Sequence, residues 1–339
     1  MDLQFIREQL YRRYIEPTKK KRRKYIGVEF EMPIVNLSDQ ADTPMYFHHY
    51  PEYGMFSSAS QVQLDVEYDK LILTINTFSK LELIKAILFS NSVMLGEDED
   101  NLCCRDMFWE NSTHGINPHN IGMYSCEFAD IDELLSYIES TSIYCVERNN
   151  KYINFTPTRL DDYFNSTKIT GEYFDGEKYS KTEFTPRTED IEDLRTFKFI
   201  DLTFRGTIEF RSICCQPIMD SLCVAAFHLG LIRRVEELAQ IFEHDRILYH
   251  HGYTAGELRK MLIRRELPDF IDKDGLYALA RQIVDLAYDG LAQRGLNEEK
   301  LLEPLYQRIE SRTSPAKKML DMKDSGVDLH DIILEYAQI

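Results

Sequence analysis

The chain has 339 residues, 43% of them hydrophobic, and its 57 acidic against 40 basic side chains give a formal net charge of −17. This composition predicts a globular core, and the negative charge argues against nonspecific nucleic-acid binding. No apolar run approaches the roughly 18 residues of a membrane-spanning helix, and the charged N-terminal stretch has no signal-peptide core. We therefore expect a cytoplasmic protein that binds neither nucleic acid nor membrane.

The first two thirds of the chain mix strand and helix patterns after an amphipathic helix over residues 2–15. A basic segment, residues 19–24, follows that helix, either as a solvated turn or as a positive rim that attracts anionic substrates. Residues 166–195 are polar and turn-rich, and predict a long excursion that could act as a lid. The remaining patterns predict strands at 25–35, 61–67, 71–76, 122–128, 151–156 and 199–213, and helices at 79–91, 131–140 and 159–165.

After Pro217 the spacing of apolar residues is helical throughout. Strands and helices do not alternate regularly, which disfavours a doubly wound parallel sheet. We predict one α+β domain over residues 1–339, with a mainly antiparallel, sheet-rich part (1–215) and a helical cap (216–339). The predicted helices of the cap are 222–242, 255–264, 276–292, 298–309 and 315–322.

The seven cysteines include no Cys-x-x-Cys pair, so their spacing fits neither a zinc site nor a disulfide framework. Reduced and mostly buried thiols are expected. The long helices of the cap could pack on the sheet or on a second subunit, which leaves a homodimer open.

Two predicted strands carry charged side chains on one face. In KYIGVEFEMP, Glu29 and Glu31 are two residues apart and point the same way. In FIDLTFRGTIEFRSICCQP, Arg205, Glu209 and Arg211 alternate with apolar residues. An edge strand with an acidic outer face would explain the first pattern alone, but a charged face on a second strand is costly unless it meets water, anions or metals.

If both strands join one sheet, three carboxylates and two arginines share a cleft. Clustered carboxylates repel each other and their pKa values rise unless cations neutralise them. Mg²⁺ is a hard, oxygen-preferring cation and a usual partner of phosphates, and arginines bind phosphate or carboxylate oxygens in pairs. This combination points to ATP-dependent activation of an acid.

Three segments, in order along the chain, carry a family resemblance. GVEFEMPIV resembles the first metal-binding strand of the glutamate–cysteine ligases, within the carboxylate–amine ligase superfamily related to glutamine synthetase. GTIEFRSICCQP resembles that family's later Glu-x-Arg-Ser strand, and LLEPLYQRIESRTSPAKKML resembles its closing helix pair.

The resemblance implies a curved antiparallel sheet that forms a funnel around ATP and two or three Mg²⁺ ions. Glu29, Glu31 and Glu209 would be metal ligands, and Arg211 would contact the transferring phosphate. Arg205 is a weaker candidate for the same anion.

The family pattern also suggests three further site residues, each of which has an alternative structural interpretation. A middle strand of the family often contributes a histidine or glutamine, and His114 and His119 are the candidates here. Each could equally be a structural histidine. Arg159 either binds the substrate carboxylate or caps the acids of the short helix that follows it.

The family usually carries another glutamate on its second strand, where we expect Thr74 in this chain. Asp65 or Glu67, on the preceding predicted strand, could substitute as a metal ligand, with Glu67 in the candidate set. Relatives often have an aspartate in the turn where this chain has Cys214. These departures put the full ligand set and the substrate specificity in doubt.

The implied reaction joins L-glutamate and L-cysteine into γ-glutamylcysteine through a γ-glutamyl phosphate, with ATP as co-substrate. Alternatives are a ligase of this mechanism with another amine or acid, a Mg²⁺-dependent phosphotransferase, and a non-catalytic relative that binds a nucleotide or a protein. Neither the Gly-x-x-x-x-Gly-Lys loop nor the Gly-x-Ser-x-Gly elbow is present, which disfavours P-loop enzymes and serine hydrolases.

Overall fold

The computed structural model describes residues 3–20, 26–31, 57–96, 98–249 and 251–337. Helices and antiparallel sheets are combined in it, which confirms the α+β class. Within these ranges no helix is both long enough and apolar enough to cross a membrane.

The first sheet is four-stranded and antiparallel, in the spatial order β1-β2-β10-β9. Its two later strands form a hairpin, and β2 joins that hairpin to β1. The strands are β1 (Ile26–Phe30), β2 (Ser60–Asp65), β9 (Ile200–Leu202) and β10 (Thr207–Phe210).

The apolar face of the first sheet packs against helices α2 (Leu71–Phe89) and α6 (Ser221–Ile232). At the centre of this layer, the ring of Phe210 lies 4.7 Å from that of Phe78 on α2 and 4.5 Å from that of His228 on α6. Because strand side chains alternate, the opposite face of the same sheet carries the polar residues.

A second four-stranded antiparallel sheet follows the order β4-β5-β6-β7, and a two-stranded parallel pair, β3-β8, lies beside the first sheet. These strands are β3 (Ile121–Gly122), β4 (Ser142–Arg148), β5 (Lys151–Arg159), β6 (Ile169–Phe174), β7 (Tyr179–Phe184) and β8 (Phe197–Lys198).

Helices make up the rest of the described regular structure, and those after α6 continue without a strand. They are α1 (Leu3–Leu10), α3 (Cys104–Glu110), α4 (Ile131–Glu139), α5 (Leu160–Asn165), α7 (Val235–Glu243), α8 (Ala255–Leu262), α9 (Lys273–Ala292), α10 (Glu303–Ser311), α11 (Pro315–Asp324) and α12 (Leu329–Ala337).

Several predicted elements are confirmed with adjusted ends. The N-terminal helix α1 continues as a π-helix, Tyr11–Ile15. The predicted helix 222–242 is two helices, because the chain turns at residues 233–234. The predicted strand 25–35 is described only as β1 and Glu31, and its remainder lies outside the described residues, as does most of the basic segment.

The predicted strand at 71–76 is wrong, because those residues open helix α2. Fourteen of the nineteen residues of α2 are buried, so its apolar residues are spread around the helix and show neither a clear helical nor a clear strand period. Thr74 therefore lies on a helix, where its hydroxyl donates to the carbonyl of Lys70 (2.8 Å). The second strand of the sheet is β2, not the segment that contains Thr74.

The predicted strand 199–213 is also wrong as one element, since it is the β9–β10 hairpin. Gly206 lies in its turn with φ +77°, and a Cβ there would stand 2.5 Å from the backbone carbon of Pro17. Only glycine meets both conditions. The excursion at 166–195 contains a regular hairpin, β6–β7. Of the predicted strand 122–128, only Gly122 is in a strand, as the last residue of β3.

Candidate functional site

The polar face of the first sheet brings together side chains from all four of its strands. The register places Glu29 opposite Gln61, and Gln63 opposite Glu209, which in turn lies opposite Asp201. Directly opposed residues share a face of the sheet. We call this surface the acidic face; it comprises Glu29, Glu31, Gln61, Gln63, Asp201, Glu209 and Arg211.

Arg211 and two carboxylates form the centre of the acidic face. Its Nη1 lies 3.5 Å from Oε2 of Glu209 and 3.7 Å from Oδ2 of Asp201, and donates to the carbonyl of Thr196 at 3.0 Å. The amide of Gln63 donates to the other oxygen of Glu209 (2.6 Å). One guanidinium therefore serves two acids, and the pairing leaves a net negative charge.

Asp201 is the most perturbed acid of this group. Burial, and to a smaller extent the neighbouring Glu209, raise the pKa of its carboxyl to about 6 despite the opposing effects of Arg211 and of a hydrogen bond from Thr196 (2.5 Å). Its side chain is 18% exposed. An added positive charge at this position would stabilise the ionised carboxylate.

Glu31 continues the acidic face beyond β1. One of its carboxylate oxygens accepts the backbone N–H of Ala59 (2.8 Å) and the other accepts the amide of Gln61 (3.3 Å). Glu29 lies on the exposed strand β1. The two predicted glutamates thus reach the same face as Glu209, with Gln61 and Gln63 between the strands that carry them.

Gly27 leaves a gap in the acidic face. It lies opposite Gln63, and a Cβ built on it would approach the Cβ of Gln63 to 3.3 Å. A strand glycine often marks a place where a ligand or another backbone approaches closely. The gap lies beside the Gln63–Glu209 hydrogen bond.

Two of the other predicted residues lie away from the centre of the acidic face. Arg205 is in the hairpin turn, where its Nη1 approaches the side-chain oxygen of Gln63 (3.4 Å) and its guanidinium lies over Phe204. Glu67 follows β2 and lines a small cavity between that strand and α6. Arg205 therefore borders the acidic face, whereas Glu67 does not lie on it.

Arg159 precedes α5, and its Nε pairs with Asp161 at 3.3 Å. This contact favours the capping alternative over substrate binding. The pair is about half exposed.

The two predicted histidines have different surroundings. His114 is buried among aromatic rings, with its centroid 4.2 Å from that of Phe197 and 5.5 Å from that of Trp109. His119 contacts the hydroxyl of Ser140 (2.5 Å), and burial, followed by nearby positive charges, lowers its pKa. Only His114 contacts a residue, Phe197, that touches Arg211.

Arg105 is a functional candidate that the sequence analysis did not identify. Its side chain is buried, with 5% of the residue exposed, and neither its Nε nor its Nη1 has a hydrogen-bond partner in the described part of the chain. Its backbone N–H donates to Ser92, whose hydroxyl contacts Cys214 (3.4 Å). Nothing in the local sequence distinguishes a buried, unsatisfied arginine from an exposed one on a short helix.

Cys214 connects Arg105 to the acidic face. Cys214 and Ala59 form an isolated antiparallel β-bridge, and the backbone N–H of Ala59 donates to the carboxylate of Glu31. Mainly a hydrogen bond from the Cys103 thiol, and also the charge of Arg105, lower the pKa of Cys214 to about 6 despite burial. The described cysteines are all free thiols, as expected, and Cys126 is exposed.

The structure also contains a cavity of about 920 Å³ that none of the residues of the acidic face lines. It lies between α2, α3, α8 and the loop after β3. Its charged side chains are paired with one another, as in Lys80 with Glu127 and Lys260 with Glu110. Trp109 lines this cavity and also stacks on Phe197, whose ring lies under the guanidinium of Arg211.

Among the residues that the structure describes, no group of three or more histidine, cysteine, aspartate or glutamate side chains is already arranged around a common metal position. The acidic face nevertheless offers only oxygen donors from its acids and amides, the donor type that Mg²⁺ prefers.

Comparison with known proteins gives a consistent set of names at low identity. The chain is 24% identical over 274 residues to the chloroplastic glutamate–cysteine ligase of Solanum lycopersicum, covering 77% of this chain and 48% of the relative. It is 25% identical over 325 residues to glutamate–cysteine ligase A of Oryza sativa subsp. indica, covering 89% and 61%. The enzyme of Arabidopsis thaliana is 25% identical over 277 residues, covering 77% and 48%.

The chain spans about half the length of the curated relatives it matches. No protein-family model matches the sequence. The chain is thus distantly similar, over most of its length, to proteins named glutamate–cysteine ligase.

Proposed function

We propose that this protein is an ATP- and Mg²⁺-dependent carboxylate–amine ligase that forms γ-glutamylcysteine from L-glutamate and L-cysteine. The observation that carries the proposal is the acidic face, where Glu209, Asp201 and Arg211 lie in contact beside the two glutamates of the first strand segment. The names of the distant relatives give the substrates.

The acidic face fits Mg²⁺ in two respects. Its donors are carboxylate and amide oxygens, and at its centre one guanidinium, Arg211, lies beside two carboxylates, Glu209 and Asp201, so that the face carries net negative charge. Glu29, Glu31 and Glu209 would hold the ions, and Asp201 adds an acid that the sequence analysis did not include. Bound Mg²⁺ would neutralise the phosphates of ATP.

Arg211 is proposed to bind the phosphate that is transferred. Its guanidinium is held by a backbone carbonyl and two acids, so it is oriented before substrate arrives. A preoriented cation stabilises developing negative charge without reorganising during the reaction. Arg205, at the edge of the face, would contact the same anion more weakly.

Arg105 is proposed to bind the carboxylate of an amino-acid substrate. Two nitrogens of this buried guanidinium, Nε and Nη1, have no hydrogen-bond partner in the described part of the chain, and a bound carboxylate would supply one. Contacts through Ser92, Cys214 and Ala59 connect the helix that carries Arg105 to Glu31. The acid and the phosphate would then be held by two different arginines.

The proposed reaction has two steps. The side-chain carboxylate of glutamate attacks the γ-phosphorus of ATP, which forms an acyl phosphate and releases ADP. The amine of cysteine then attacks the acyl carbon, and phosphate leaves as the amide bond forms. Positioning and charge neutralisation supply most of the catalysis in such transfers.

The test measures ADP release from Mg²⁺–ATP with L-glutamate, with and without L-cysteine. In wild type, sustained release should require both amino acids. Glu209→Gln should lower kcat at least about 100-fold, as expected when a group that organises transition-state charge is removed. Glu183→Gln is a matched control, because Glu183 is on β7, paired with Lys168 and remote from the acidic face.

Arg105→Gln distinguishes binding of the substrate carboxylate from the chemical step. We expect it to raise KM for glutamate more than it lowers kcat. Turnover with glutamate and a different amine would keep the mechanism and change the substrate. Folded protein that releases no ADP with any acid–amine pair would contradict the ligase proposal.

A further inference from the structure

Arg211 lies on a stack of aromatic rings that the proposed chemistry does not yet use. Its guanidinium carbon is 4.7 Å from the centroid of Phe197, and the ring of Phe197 stacks on that of Trp109 at 4.1 Å with an interplanar angle of 17°. Trp109 is the only tryptophan of the chain and is 8% exposed. We call Arg211, Phe197 and Trp109 the arginine stack.

The arginine stack is fixed from both ends. Trp109 belongs to α3, the helix that also carries Arg105. Phe197 belongs to β8, whose next residue, Lys198, is buried and donates from its amine to the carbonyls of Ile121 and Met123, each at 2.7 Å. The ring of Phe197 is therefore packed between Trp109 and the guanidinium of Arg211, on a strand that the buried Lys198 anchors.

The orientation of Arg211 depends on this plane. Its polar contacts, at 3.5 and 3.7 Å to two acids, are long, and the one short hydrogen bond is to the carbonyl of Thr196, directly before Phe197. A guanidinium stacked on an aromatic face keeps its N–H groups at its edge, where they remain available to oxygen acceptors. Without the ring, only the Thr196 carbonyl and the two long contacts with acids would orient the guanidinium.

We propose that Phe197 and Trp109 are positioning residues that keep the Arg211 guanidinium edge-on to the phosphate in the acidic face. This inference rests on the proposed function for its kinetic consequence but not for its binding consequence. Because the only tryptophan lies in the stack, its fluorescence should change when a polyphosphate binds Arg211.

The kinetic test is a double-mutant cycle of Phe197→Leu and Arg211→Ala. Phe197→Leu should lower kcat about 10-fold, the loss expected for one desolvated cation–π contact, and leave KM for glutamate within about 2-fold. In the Arg211→Ala background, the same change should have no further effect. Equal effects in both backgrounds would overturn the inference.

Two further variants separate orientation from general packing. Phe197→Tyr keeps the ring and should retain kcat within about 3-fold. Phe184→Leu removes a ring that also lies under an arginine, Arg148 at 5.4 Å, but in the second sheet, so it should leave kcat unchanged. A loss of kcat in Phe184→Leu as large as in Phe197→Leu would contradict a specific role of the stack.

The binding test measures the binding of Mg²⁺–tripolyphosphate by calorimetry and by tryptophan fluorescence. Wild type should bind it with a change in emission, Arg211→Ala should lose most of the binding, and Phe197→Leu should bind with little change in emission. Tripolyphosphate binding without ligase turnover would refute the proposed function but not the positioning role of the arginine stack. Turnover unchanged in Phe197→Leu would refute the stack and keep the function, and absence of both binding and turnover in wild type would refute both.

Discussion

Asp201 gives a prediction that depends on the geometry of the acidic face and not on any activity. Its carboxyl accepts a hydrogen bond from Thr196 at 2.5 Å and has Arg211 only at 3.7 Å, while burial and Glu209 disfavour its charge. The change Asp201→Asn keeps the shape of the side chain and removes the charge. We expect this variant to be more stable than wild type near neutral pH.

The magnitude follows from the pKa shift. The pKa of the carboxyl rises from an ordinary 3.8 to about 6 on folding, so its favourable contribution is complete below the lower value and is lost as the pH rises through the higher one. At about 1.36 kcal/mol for each pKa unit, the total is about 3 kcal/mol. About 2 kcal/mol of this falls between pH 4.5 and pH 8.

The assay is urea unfolding of wild type and Asp201→Asn in EDTA at pH 4.5, 6 and 8, followed by the fluorescence of Trp109 and by circular dichroism to test for a single transition. The advantage of Asp201→Asn should grow with pH. Asp175→Asn is the control, because hydrogen bonds from Lys178 and Glu177 lower the pKa of that exposed acid to about 2, and its effect should be constant over this range. A difference between Asp201→Asn and wild type that does not grow with pH would refute the reasoning.

Three packing predictions can be checked by the same unfolding assay. Gly206→Ala should lower the free energy of unfolding more than Gly252→Ala does. Both glycines have a positive φ, which costs an alanine about 1–2 kcal/mol, but only a Cβ at residue 206 would meet backbone atoms within 4 Å. Equal losses of stability in the two variants would contradict this. Arg259→Met should lower the free energy of unfolding by about 3–5 kcal/mol, because Asp106 loses its partner and the buried Glu82 keeps only Lys85, whereas Lys260→Met, in an exposed pair, should lower it by at most about 1 kcal/mol. Gly230→Ala should cost about 1–3 kcal/mol, because its Cβ would stand 2.2 Å from a carbonyl oxygen of α9, and an unchanged stability would show that the two helices can separate freely.

The alternating patterns of the sequence located half of the acidic face. Glu29, Glu31, Glu209 and Arg211 could be placed on one face because strand alternation depends only on the local chain. Gln61, Gln63 and Asp201 join them through register with other strands, which is a nonlocal property. Asp201 was included in the predicted strand 199–213, but its pairing with Glu209 needs the hairpin turn at Gly206.

The errors have physical causes of the same kind. Helix α2 is buried on nearly every side, so its sequence lacks the polar face that would distinguish it from a strand. Its misassignment moved the second strand of the sheet onto Thr74. Arg105 could not be identified from the sequence, because an arginine on a short helix is common. Its two unpartnered nitrogens become evident only from the residues packed around it.

Isotope transfer tests the central claim most directly. L-Glutamate labelled with ¹⁸O in its side-chain carboxylate is incubated with the full chain, Mg²⁺–ATP and L-cysteine, and the phosphate is analysed by mass spectrometry. If the carboxylate is activated by phosphorylation, each phosphate released with amide formation carries one ¹⁸O from glutamate. Unlabelled phosphate released together with the amide would contradict the proposed acyl phosphate and the role assigned to Arg211.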